Sequence, residues 1–444
     1  MQKPLLALKD VESGLKLDSS NIKLLFRKGK ALIMLQRYNE AAIFLDETYH
    51  QIEAAKQNKA MVDLMKDVKR MQNEFENGNY DLKQLIEQAK LAKVFENHAD
   101  YNSNKYEIKQ IPNKGRGLVA KEEIEAGTLL MACKAFVFAE TSEGVTSVDY
   151  GSKVIDVPTM GPMIKKACEK LLNNPELADS FYQLCAGEKM GCLEISDQDN
   201  LIDIDRISNI IRSNMSRAQD MIQIDEDSDE CSDGLWITPS YINHSCVDTN
   251  CFRYTVGDFM FIRAKKTINA GEELLIEYLS PWESIDKRQK MFRAQYGFDC
   301  QCRLCQADRN EPEAVLEKYR EISKFLDEMG KYKENTQDNI NMLKGFLKEL
   351  NNYRPQKELN FIAASVQKAL ASKTSPTSPK YSFQLLEELY QVQDRSGDPY
   401  LAFRYATALV SASNFKGDEE VAKWKRISKK LAAVLFGDDR IVKE

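Results

Sequence analysis

Several features are scarce in this 444-residue sequence, and each scarcity excludes a class of protein. Only three histidines occur, His50, His98 and His244, which are too few for a histidine-rich metal site or an array of zinc fingers. No uninterrupted apolar run reaches the ~18 residues that a membrane-spanning helix needs. Positive charge is not in excess, because 62 Lys and Arg face 68 Asp and Glu, so we expect no direct binding to nucleic acid.

The first residues also lack the apolar stretch of a secretory signal peptide. We therefore expect a protein of the cytoplasm, the nucleus or both, without membrane association. Cysteines stay reduced in these compartments, so a cluster among the ten cysteines indicates metal binding rather than disulfides. With 43% apolar and 29% charged residues, the composition is that of an ordinary globular protein with several domains.

Residues 1–80 carry the apolar periodicity of helices. The helix pair predicted within them resembles one tetratricopeptide (TPR) repeat, whose packing positions are filled by Leu25, Gly29, Leu32, Tyr38, Ala41 and Leu45. Stacked repeats need neighbours to bury their faces, so we expect this segment to pack against another part of the chain. Residues 81–104 follow as a linking helix.

The pattern changes to short strands and turns from residue 105. Strands are predicted in two clusters, 105–140 and 234–278, and Gly257-Asp258 is typical of a two-residue hairpin turn. Between the clusters, residues 141–215 have helical periodicity, and the acidic run 225–233 predicts a solvated loop. Residues 309–444 are again helical throughout, which predicts a separate C-terminal domain.

Two short motifs are candidates for chemistry. Cys300, Cys302 and Cys305 lie within six residues, a spacing at which thiolates surround one zinc ion, but a structural site needs a fourth ligand that this cluster lacks. The second motif is Asn243-His244-Ser245-Cys246, which follows an apolar strand and precedes the predicted hairpin. Taken alone, its histidine has an equally good structural interpretation.

Four segments in a fixed order are more specific than either motif: NKGRGLVA (113–120), NHSC (243–246), AGEELLIEY (270–278) and YGFDCQCRLC (296–305). This combination resembles the SET domain of protein lysine methyltransferases. It is most similar to the SET- and MYND-domain branch and to TPR–SET proteins without the MYND zinc finger. Residues 141–200 contain three cysteines and no histidine, so a MYND finger cannot be built there.

The resemblance implies an α+β protein whose SET domain is made of small β-sheets. Its domains would be a TPR-like helical segment 1–80, a linking helix 81–104, a SET domain 105–295 with a helical insertion at about 141–233, a post-SET zinc segment 296–308 and an all-helical domain 309–444.

The resemblance also implies the reaction, the transfer of a methyl group from S-adenosylmethionine to a lysine of a histone or non-histone protein. Tyr278 matches the active-site tyrosine, and Tyr296 would be a wall of the lysine channel. The positions that match cofactor-binding residues are Lys114, Gly115, Arg116, Gly117, Asn214, Asn243, His244 and Phe298. Many relatives carry another residue at Arg116. No residue is a candidate for a dedicated general base, so we expect water or the desolvated channel to take the proton.

The same resemblance supplies the missing fourth zinc ligand. Cys246 matches the remote ligand of the three-cysteine cluster, so that Cys246, Cys300, Cys302 and Cys305 would hold one structural zinc. Cys251, five residues further on, is the rival candidate.

A geometric constraint bears on the segment after Tyr278. Ser280-Pro281 has the composition of a helix start, but a helix from there to Gln295 would be ~22 Å long. It would carry Tyr278 and Phe298 to opposite ends, although both are assigned to one site. We therefore expect the helix to begin only at Ser284.

The partner implied is a protein that presents a lysine in an extended peptide, and we expect a monomer. Two other hypotheses remain open. The chain could be a catalytically silent SET scaffold that recruits protein partners through its helical domains. Alternatively, residues 1–80 could form a carboxylate-binding module, because Lys23 and Arg27 have the spacing of such clamps. One and a half repeats leave that clamp incomplete, which favours a solvated helix face.

Overall fold

The computed structural model describes residues 3–149, 154–187, 202–218, 231–332, 336–354 and 356–442. The chain forms two compact units, and each is assembled from separate segments. The first comprises Met1–Asn104, Leu129–Tyr241 and Tyr254–Ile262, and the second comprises Lys105–Thr128, Ile242–Arg253 and Arg263–Glu444. Both units therefore contain parts of the predicted SET region.

Helices dominate the described residues at both ends of the chain. They are α1 (Pro4–Leu17), α2 (Ile22–Met34), α3 (Tyr38–Gln51), α4 (Glu53–Gln57), α5 (Lys59–Asn77), α6 (Leu82–Ala89), α7 (Met160–Asn173), α8 (Ala178–Tyr182), α9 (Ile204–Asn214), α10 (Ile285–Met291), α11 (Arg303–Arg309), α12 (Glu313–Tyr332), α13 (Gln337–Leu350), α14 (Phe361–Thr374), α15 (Pro379–Ser396), α16 (Pro399–Ala412) and α17 (Asp418–Phe436).

The strands are short and lie between residues 101 and 276. They are β1 (Tyr101–Asn102), β2 (Tyr106–Ile111), β3 (Gly115–Ala120), β4 (Leu129–Lys134), β5 (Val137–Glu140), β6 (Ser147–Asp149), β7 (Val154–Asp156), β8 (Ser216–Ala218), β9 (Ser232–Leu235), β10 (Asn243–His244), β11 (Cys251–Val256), β12 (Phe259–Ala264) and β13 (Leu275–Ile276). They form a four-stranded sheet in the order β1-β4-β12-β11, a three-stranded sheet β5-β9-β8, and the pairs β2-β3, β6-β7 and β10-β13.

In the first unit, the N-terminal helices share one apolar core. Leu25, Leu32, Leu45 and Leu64 are buried in it. A Cβ added to Gly29 would lie 2.8 Å from Leu45 and 3.2 Å from Leu64, so glycine is required for the close packing of α2 on its neighbours. The core matches the predicted packing positions, while the identity of the segment as a TPR repeat stays a prediction.

The predicted linking helix is shorter than expected. It ends with α6 at Ala89, and the following residues form turns and the strand β1. The reason is tertiary: the carbonyl of Lys93 accepts the backbone N–H of Asp258 (2.7 Å), and the N–H of Phe95 donates to the Asp258 carboxylate (3.0 Å). These bonds to the β11–β12 turn engage backbone groups that a longer helix would have used internally.

The end of the N-terminal segment, at Tyr80, and the linking segment, at Phe95, pack on the four-stranded sheet within the same unit. The ring of Tyr80 contacts those of Phe259 and Phe261, with centroids 5.8 and 5.4 Å apart, and Phe95 contacts Phe259 at 5.8 Å. Phe95 and the two sheet phenylalanines are buried. The expectation that this segment packs against another part of the chain is confirmed.

The second unit contains the pairs β2-β3 and β10-β13 and the helices from α10 onwards. Helix α10 begins at Ile285, and the side chain of its N-cap residue Ser284 accepts from Lys287 N, which confirms the predicted late start. The described residues from 313 to 436 form the helices α12 to α17 with short connections, as the helical pattern of 309–444 predicts. Among the residues described in both units, no helix is long and apolar enough to cross a membrane.

Candidate active site

Two motifs that are distant in the sequence become neighbours in a short parallel strand pair. Asn243 of β10 is in register with Leu275 of β13, and His244 with Ile276. The backbone N–H of Tyr278 then donates to Nδ1 of His244 (2.9 Å), and the Tyr278 hydroxyl donates to the carbonyl of Ile242 (2.6 Å). The backbone N–H and the side-chain hydroxyl of Tyr278 are therefore both held by the segment that carries Asn243 and His244.

Aromatic rings surround this junction. Tyr278 lies 4.8 Å from Tyr296 and 5.1 Å from His244, measured between ring centroids. Phe298 stacks on Phe292 at 5.1 Å, and Phe292 lies 4.6 Å from His244. Phe292 is fully buried, and the sequence reasoning missed it. The predicted residues Tyr278, Tyr296, Phe298 and His244 thus come together around an additional ring.

The chain returns to the site through an irregular turn. Residues Phe292–Tyr296 form a π-helical turn, and the next residue, Gly297, has a positive φ of 73°. Glycine adopts this conformation without steric cost, so it can end the helix and reverse the chain. The reversal brings Tyr296 and Phe298, on either side of Gly297, into the same cluster.

Burial keeps His244 neutral. Its pKa falls to about 3, chiefly because burial disfavours the charged ring, while the Ile276 backbone and Cys302 act in the opposite direction. Nδ1 accepts from Tyr278, so Nε2 carries the proton and lies 3.2 Å from the Cys246 sulfur. Burial also raises the pKa of Tyr296, although Arg253 opposes the effect, so this phenol stays protonated.

The predicted glycine loop lies against Asn243. The Asn243 side-chain amide donates to the carbonyl of Arg116 (3.3 Å) and to the carboxylate of Glu273 (2.8 Å), which also pairs with Lys114 Nζ (2.7 Å). A Cβ on Gly117 would lie 2.7 Å from this amide, so glycine is required there. Glu273 was not predicted as a site residue. In the sequence it is only the second glutamate of the AGEE segment, which does not distinguish it from its neighbour.

Gly115 differs from Gly117 in its surroundings. It has a positive φ of 72°, and an added Cβ would meet nothing within 4 Å. The backbone of the loop therefore faces open space at this position. Such a surface, with exposed backbone and no side chain in front of it, suits the close approach of a ligand.

Four cysteine sulfurs form one compact cluster. Those of Cys246, Cys300, Cys302 and Cys305 all lie within 4.8 Å of one another. The Cys246 sulfur is 3.7 Å from that of Cys305 and 3.9 Å from that of Cys300. Zn–S bonds of ~2.3 Å in a tetrahedron place sulfurs about 3.8 Å apart, so the cluster fits one zinc ion.

The choice between the two candidate fourth ligands is clear in the structure. Cys251 is buried but lies outside the four-sulfur cluster, and burial raises the pKa of its thiol to about 12. Cys246, by contrast, has its sulfur within the cluster formed with the three-cysteine motif. Donors also face the cluster, because Gln289 Nε2 lies 3.2 Å and Arg288 Nη2 3.7 Å from the Cys305 sulfur. A cation and an amide here suit a site rich in negative thiolates.

Asn214 belongs to the first unit, whereas the other predicted site residues belong to the second. It is the last residue of α9, and its amide donates to the carbonyls of Cys185 (2.8 Å) and Ile210 (2.7 Å). These bonds stabilise the end of the helix. The cofactor-binding role of Asn214 stays a prediction.

Parts of the chain are similar to known proteins. The family model of the SET domain matches residues 115–279. A methyltransferase of Gibberella zeae is 26% identical over 356 residues, which are 75% of this chain and 48% of that protein. The histone-lysine N-methyltransferase SMYD3 of Mus musculus is 35% identical over 102 residues, 22% of this chain and 24% of that protein. The chain thus spans about half or less of the length of these curated relatives.

One solved structure, the SET domain of LSMT bound to lysine and AdoHcy, aligns with 82% of this chain and 92% of its own, at 12% identity. Its TM-score is only 0.26, so the alignment adds no argument. The family match confirms the predicted SET domain and, with the observed small sheets and helical ends, the α+β class.

Proposed function

We propose that this chain, which contains a SET domain, is a protein-lysine N-methyltransferase that uses S-adenosylmethionine. The observation that carries the proposal is the junction of Tyr278 with His244, bonded at 2.9 Å and enclosed by Tyr296 and Phe298. The names of the relatives, a methyltransferase and a histone-lysine N-methyltransferase, support the same reaction.

S-adenosylmethionine, when bound, supplies an electrophilic methyl group on a sulfonium. The residues of the second unit that would hold it are the loop Lys114–Gly117, Asn243, His244 and Phe298. The open space before Gly115 suits close approach of a ligand to the backbone. Asn243 is held by Arg116 and Glu273, which fixes the plane of its amide before any ligand arrives.

Tyr278 has the central part in the chemistry. Its hydroxyl proton is directed to the Ile242 carbonyl, so the phenolic oxygen presents lone pairs elsewhere. Those lone pairs can accept weak contacts from polarised C–H groups and can orient an incoming amine. Tyr296 extends the aromatic wall, whose ring faces attract a lysine ammonium on entry.

The lysine must lose a proton before it can react. Deprotonating an amine with a pKa of ~10.4 at pH 7 costs about 4.6 kcal/mol. An aromatic channel lowers this cost because low polarity disfavours the ammonium form. The proton then leaves to water.

One zinc ion held by Cys246, Cys300, Cys302 and Cys305 would be structural, because four thiolates leave no open coordination position. Its coordination by these cysteines would join the segment that follows His244 to the segment that carries Tyr296 and Phe298. Thiolates of this kind need a reducing compartment, which favours the cytoplasm or the nucleus.

The substrate we propose is a histone or non-histone protein that presents a lysine in an extended segment to a monomeric enzyme. The helical ends are a candidate surface for further protein partners. The silent scaffold remains the alternative, but the site keeps Tyr278, Asn243, His244 and the cysteine cluster together. Lys23 and Arg27 are both exposed on α2, as expected for a solvated face.

The test is transfer of label from radioactive S-adenosylmethionine by the full-length chain. Peptide arrays and a protein extract would be the acceptors, and mass spectrometry would locate the methyl group. We expect label on lysine side chains that depends on the enzyme. If the chain binds S-adenosylmethionine in calorimetry but labels no lysine, the scaffold hypothesis replaces this one.

A further inference from the structure

A small cavity in the second unit lies where the helices α10 and α11 meet the C-terminal helices α12 and α14. Its apolar walls include Leu304, Leu316 and Ile362. The volume is about 20 Å³, which is room for one water molecule or one small ion. The proposed methyl transfer uses none of the residues that line this cavity.

Arg288 of α10 lines the cavity and keeps one hydrogen-bond donor unused. The residue is 2% exposed. Its Nη1 donates to the backbone carbonyls of Pro281 (3.4 Å) and Glu283. Its Nη2 donates to the carboxylate of Asp308 and lies 3.7 Å from the sulfur of Cys305. Nε has no hydrogen-bond partner among the described residues, and because a guanidinium nitrogen can only donate, this position lacks an acceptor.

Tyr319 of α12 supplies a second unused group to the same cavity. It is 6% exposed, and its hydroxyl is without a hydrogen-bond partner in the part of the chain that the structure describes. The pKa of this phenol rises to about 12, chiefly because burial disfavours the phenolate, although the charge of Arg354 acts against the rise. The hydroxyl therefore stays protonated and can donate. Two buried groups that can donate thus line one cavity, and neither has an acceptor.

Charge balance around the cavity also favours an anion. Arg288 and Arg354 are both almost fully buried, and they share the two oxygens of one carboxylate, that of Asp308. Arg354 has a second carboxylate partner, Glu311, at 2.9 Å. Arg288 has no second carboxylate partner within the described ranges, and burying a charge is costly unless the charge is well paired. An anion at Nε would complete the surroundings of Arg288.

The cavity can be reached from water. Asp286 of α10 and Arg320 of α12 both line it and are both exposed, and they form an ion pair at 2.7 Å. Arg320 also pairs with Glu313 at 2.7 Å. Exposed ion pairs contribute little to stability, so the pair of Asp286 and Arg320 can separate at small cost and admit a small solute.

We propose that this cavity binds one small monovalent anion, with chloride as the physiological ion, between Nε of Arg288 and the hydroxyl of Tyr319. An anion only accepts, which matches two donors, whereas a water molecule would bring hydrogens that need acceptors of their own. The anion would join α10 to α12 and so hold the segment that continues into Phe292 and Tyr296 on the C-terminal helices. This inference goes beyond the proposed methyl transfer, and neither measurement below depends on turnover.

The first measurement is the line width of the chloride NMR signal, which broadens when the ion exchanges with a protein site. Full-length wild type, Tyr319→Phe and the control Tyr353→Phe are compared. The control loses the same kind of group nearby, because the Tyr353 ring lies 6.5 Å from that of Tyr319, but its hydroxyl already donates to Glu349. We expect wild type and the control to broaden the signal equally and Tyr319→Phe to lose the excess broadening. Equal broadening by all three proteins would refute the site.

The second measurement is thermal unfolding in chloride and in gluconate at equal ionic strength, so that screening is constant. For wild type and the control we expect a midpoint about 2 °C higher in chloride, because a ligand of the folded state stabilises it. Tyr319→Phe should show no such shift. In gluconate it should be at least as stable as wild type, because it lacks a buried hydroxyl that has no partner.

A cavity that holds only water would give neither the broadening nor the chloride-dependent shift, and this result would overturn the proposal. If Tyr319→Phe does not fold, competition on wild type decides. Bromide, which is close to chloride in size and charge, should displace chloride and narrow its signal, while the bulky gluconate should not. Equal narrowing by both anions would indicate unspecific surface binding and would also overturn the proposal.

Discussion

The backbone N–H of Tyr278 donates to Nδ1 of His244 across 34 positions of sequence, and this bond settles which nitrogen of the imidazole carries the proton. The protonated Nε2 lies 3.2 Å from the sulfur of Cys246. One side chain therefore connects the proposed catalytic tyrosine to the proposed zinc ligand. Hydrogen-bond partners of metal ligands, such as His244 beside Cys246, orient those ligands, and the same bonds hold the imidazole ring in place.

Loss of the proposed zinc ion should therefore disturb the position of Tyr278. We expect the purified chain to contain one zinc ion, and Cys246→Ala to lose the zinc and most of the activity, because three thiolates no longer complete the tetrahedron. Elemental analysis alongside the methylation assay measures both effects. The control is Cys251→Ala, which removes a thiol outside the cluster and should keep the zinc. Equal zinc in both variants would contradict the assignment.

Replacing Tyr278 with phenylalanine removes only the hydroxyl that donates to Ile242. We expect kcat to fall about a hundredfold, the usual size for a positioned polar group in a transition state. The affinity for S-adenosylmethionine should stay within about threefold, because the proposed adenosyl contacts come from other residues. Turnover and calorimetry on one preparation measure both, with Tyr49→Phe on α3 as the control. Near-normal turnover would end the proposed role of Tyr278.

Local sequence chemistry predicted much of the fold. Gly257-Asp258 does form the turn between β11 and β12, because glycine supplies the positive φ of 56° that the turn needs. The late start of α10 at Ser284 followed from a length argument rather than from propensity. In both cases the deciding information lies within a few residues or in a simple distance.

Other features depend on contacts between distant segments and were missed. The early end of α6 reflects the bonds that Lys93 and Phe95 make to Asp258, about 165 residues later. Glu273 and Phe292 gain their roles only when the glycine loop and the aromatic rings meet. The fourth cysteine came from family resemblance, since no spacing rule connects Cys246 to residue 300.

The packing of the linking segment on the sheet predicts a stability effect. Phe95 is 6% exposed and contacts Phe259, so Phe95→Ala should lower the free energy of unfolding by about 3 kcal/mol. Urea denaturation measures this value. The control, Leu91→Ala, changes a side chain that is 91% exposed and should have little effect.

The same packing predicts slow proteolysis near Asn77–Asn79. A Cβ added at Gly78 would lie 3.0 Å from Tyr101 and Leu129, so the backbone at Gly78 packs closely on these side chains, while Asn77 and Asn79 are exposed on either side. Deleting residues 1–80 should also destabilise the rest of the chain. Rapid cleavage there, with release of a fragment of unchanged stability and activity, would instead indicate a tethered, independent module.

The buried carboxyl of Asp258 predicts how stability depends on pH. Burial raises its pKa from 3.8 to about 7, although the Phe95 N–H and Lys134 act against the rise. Between these two values the folded chain holds a proton that the unfolded chain has released. The contribution of Asp258 to stability is therefore fully present below about pH 4 and is lost as the pH rises through 7.

Asp258→Asn removes this titration but keeps an oxygen that can accept from the Phe95 N–H. We expect the variant to be more stable than wild type at pH 8, by a free energy of unfolding on the order of 2–4 kcal/mol, and this gain to vanish near pH 4. Urea titrations at pH 4, 6 and 8 measure the difference in the free energy of unfolding between the variant and wild type. Burial also raises the pKa of Asp100, but Asp100 is present in both proteins, so the difference reports on Asp258. The exposed Asp10→Asn is the control. A difference between Asp258→Asn and wild type that stays constant from pH 4 to 8 would show that Asp258 is ionised in the folded chain throughout.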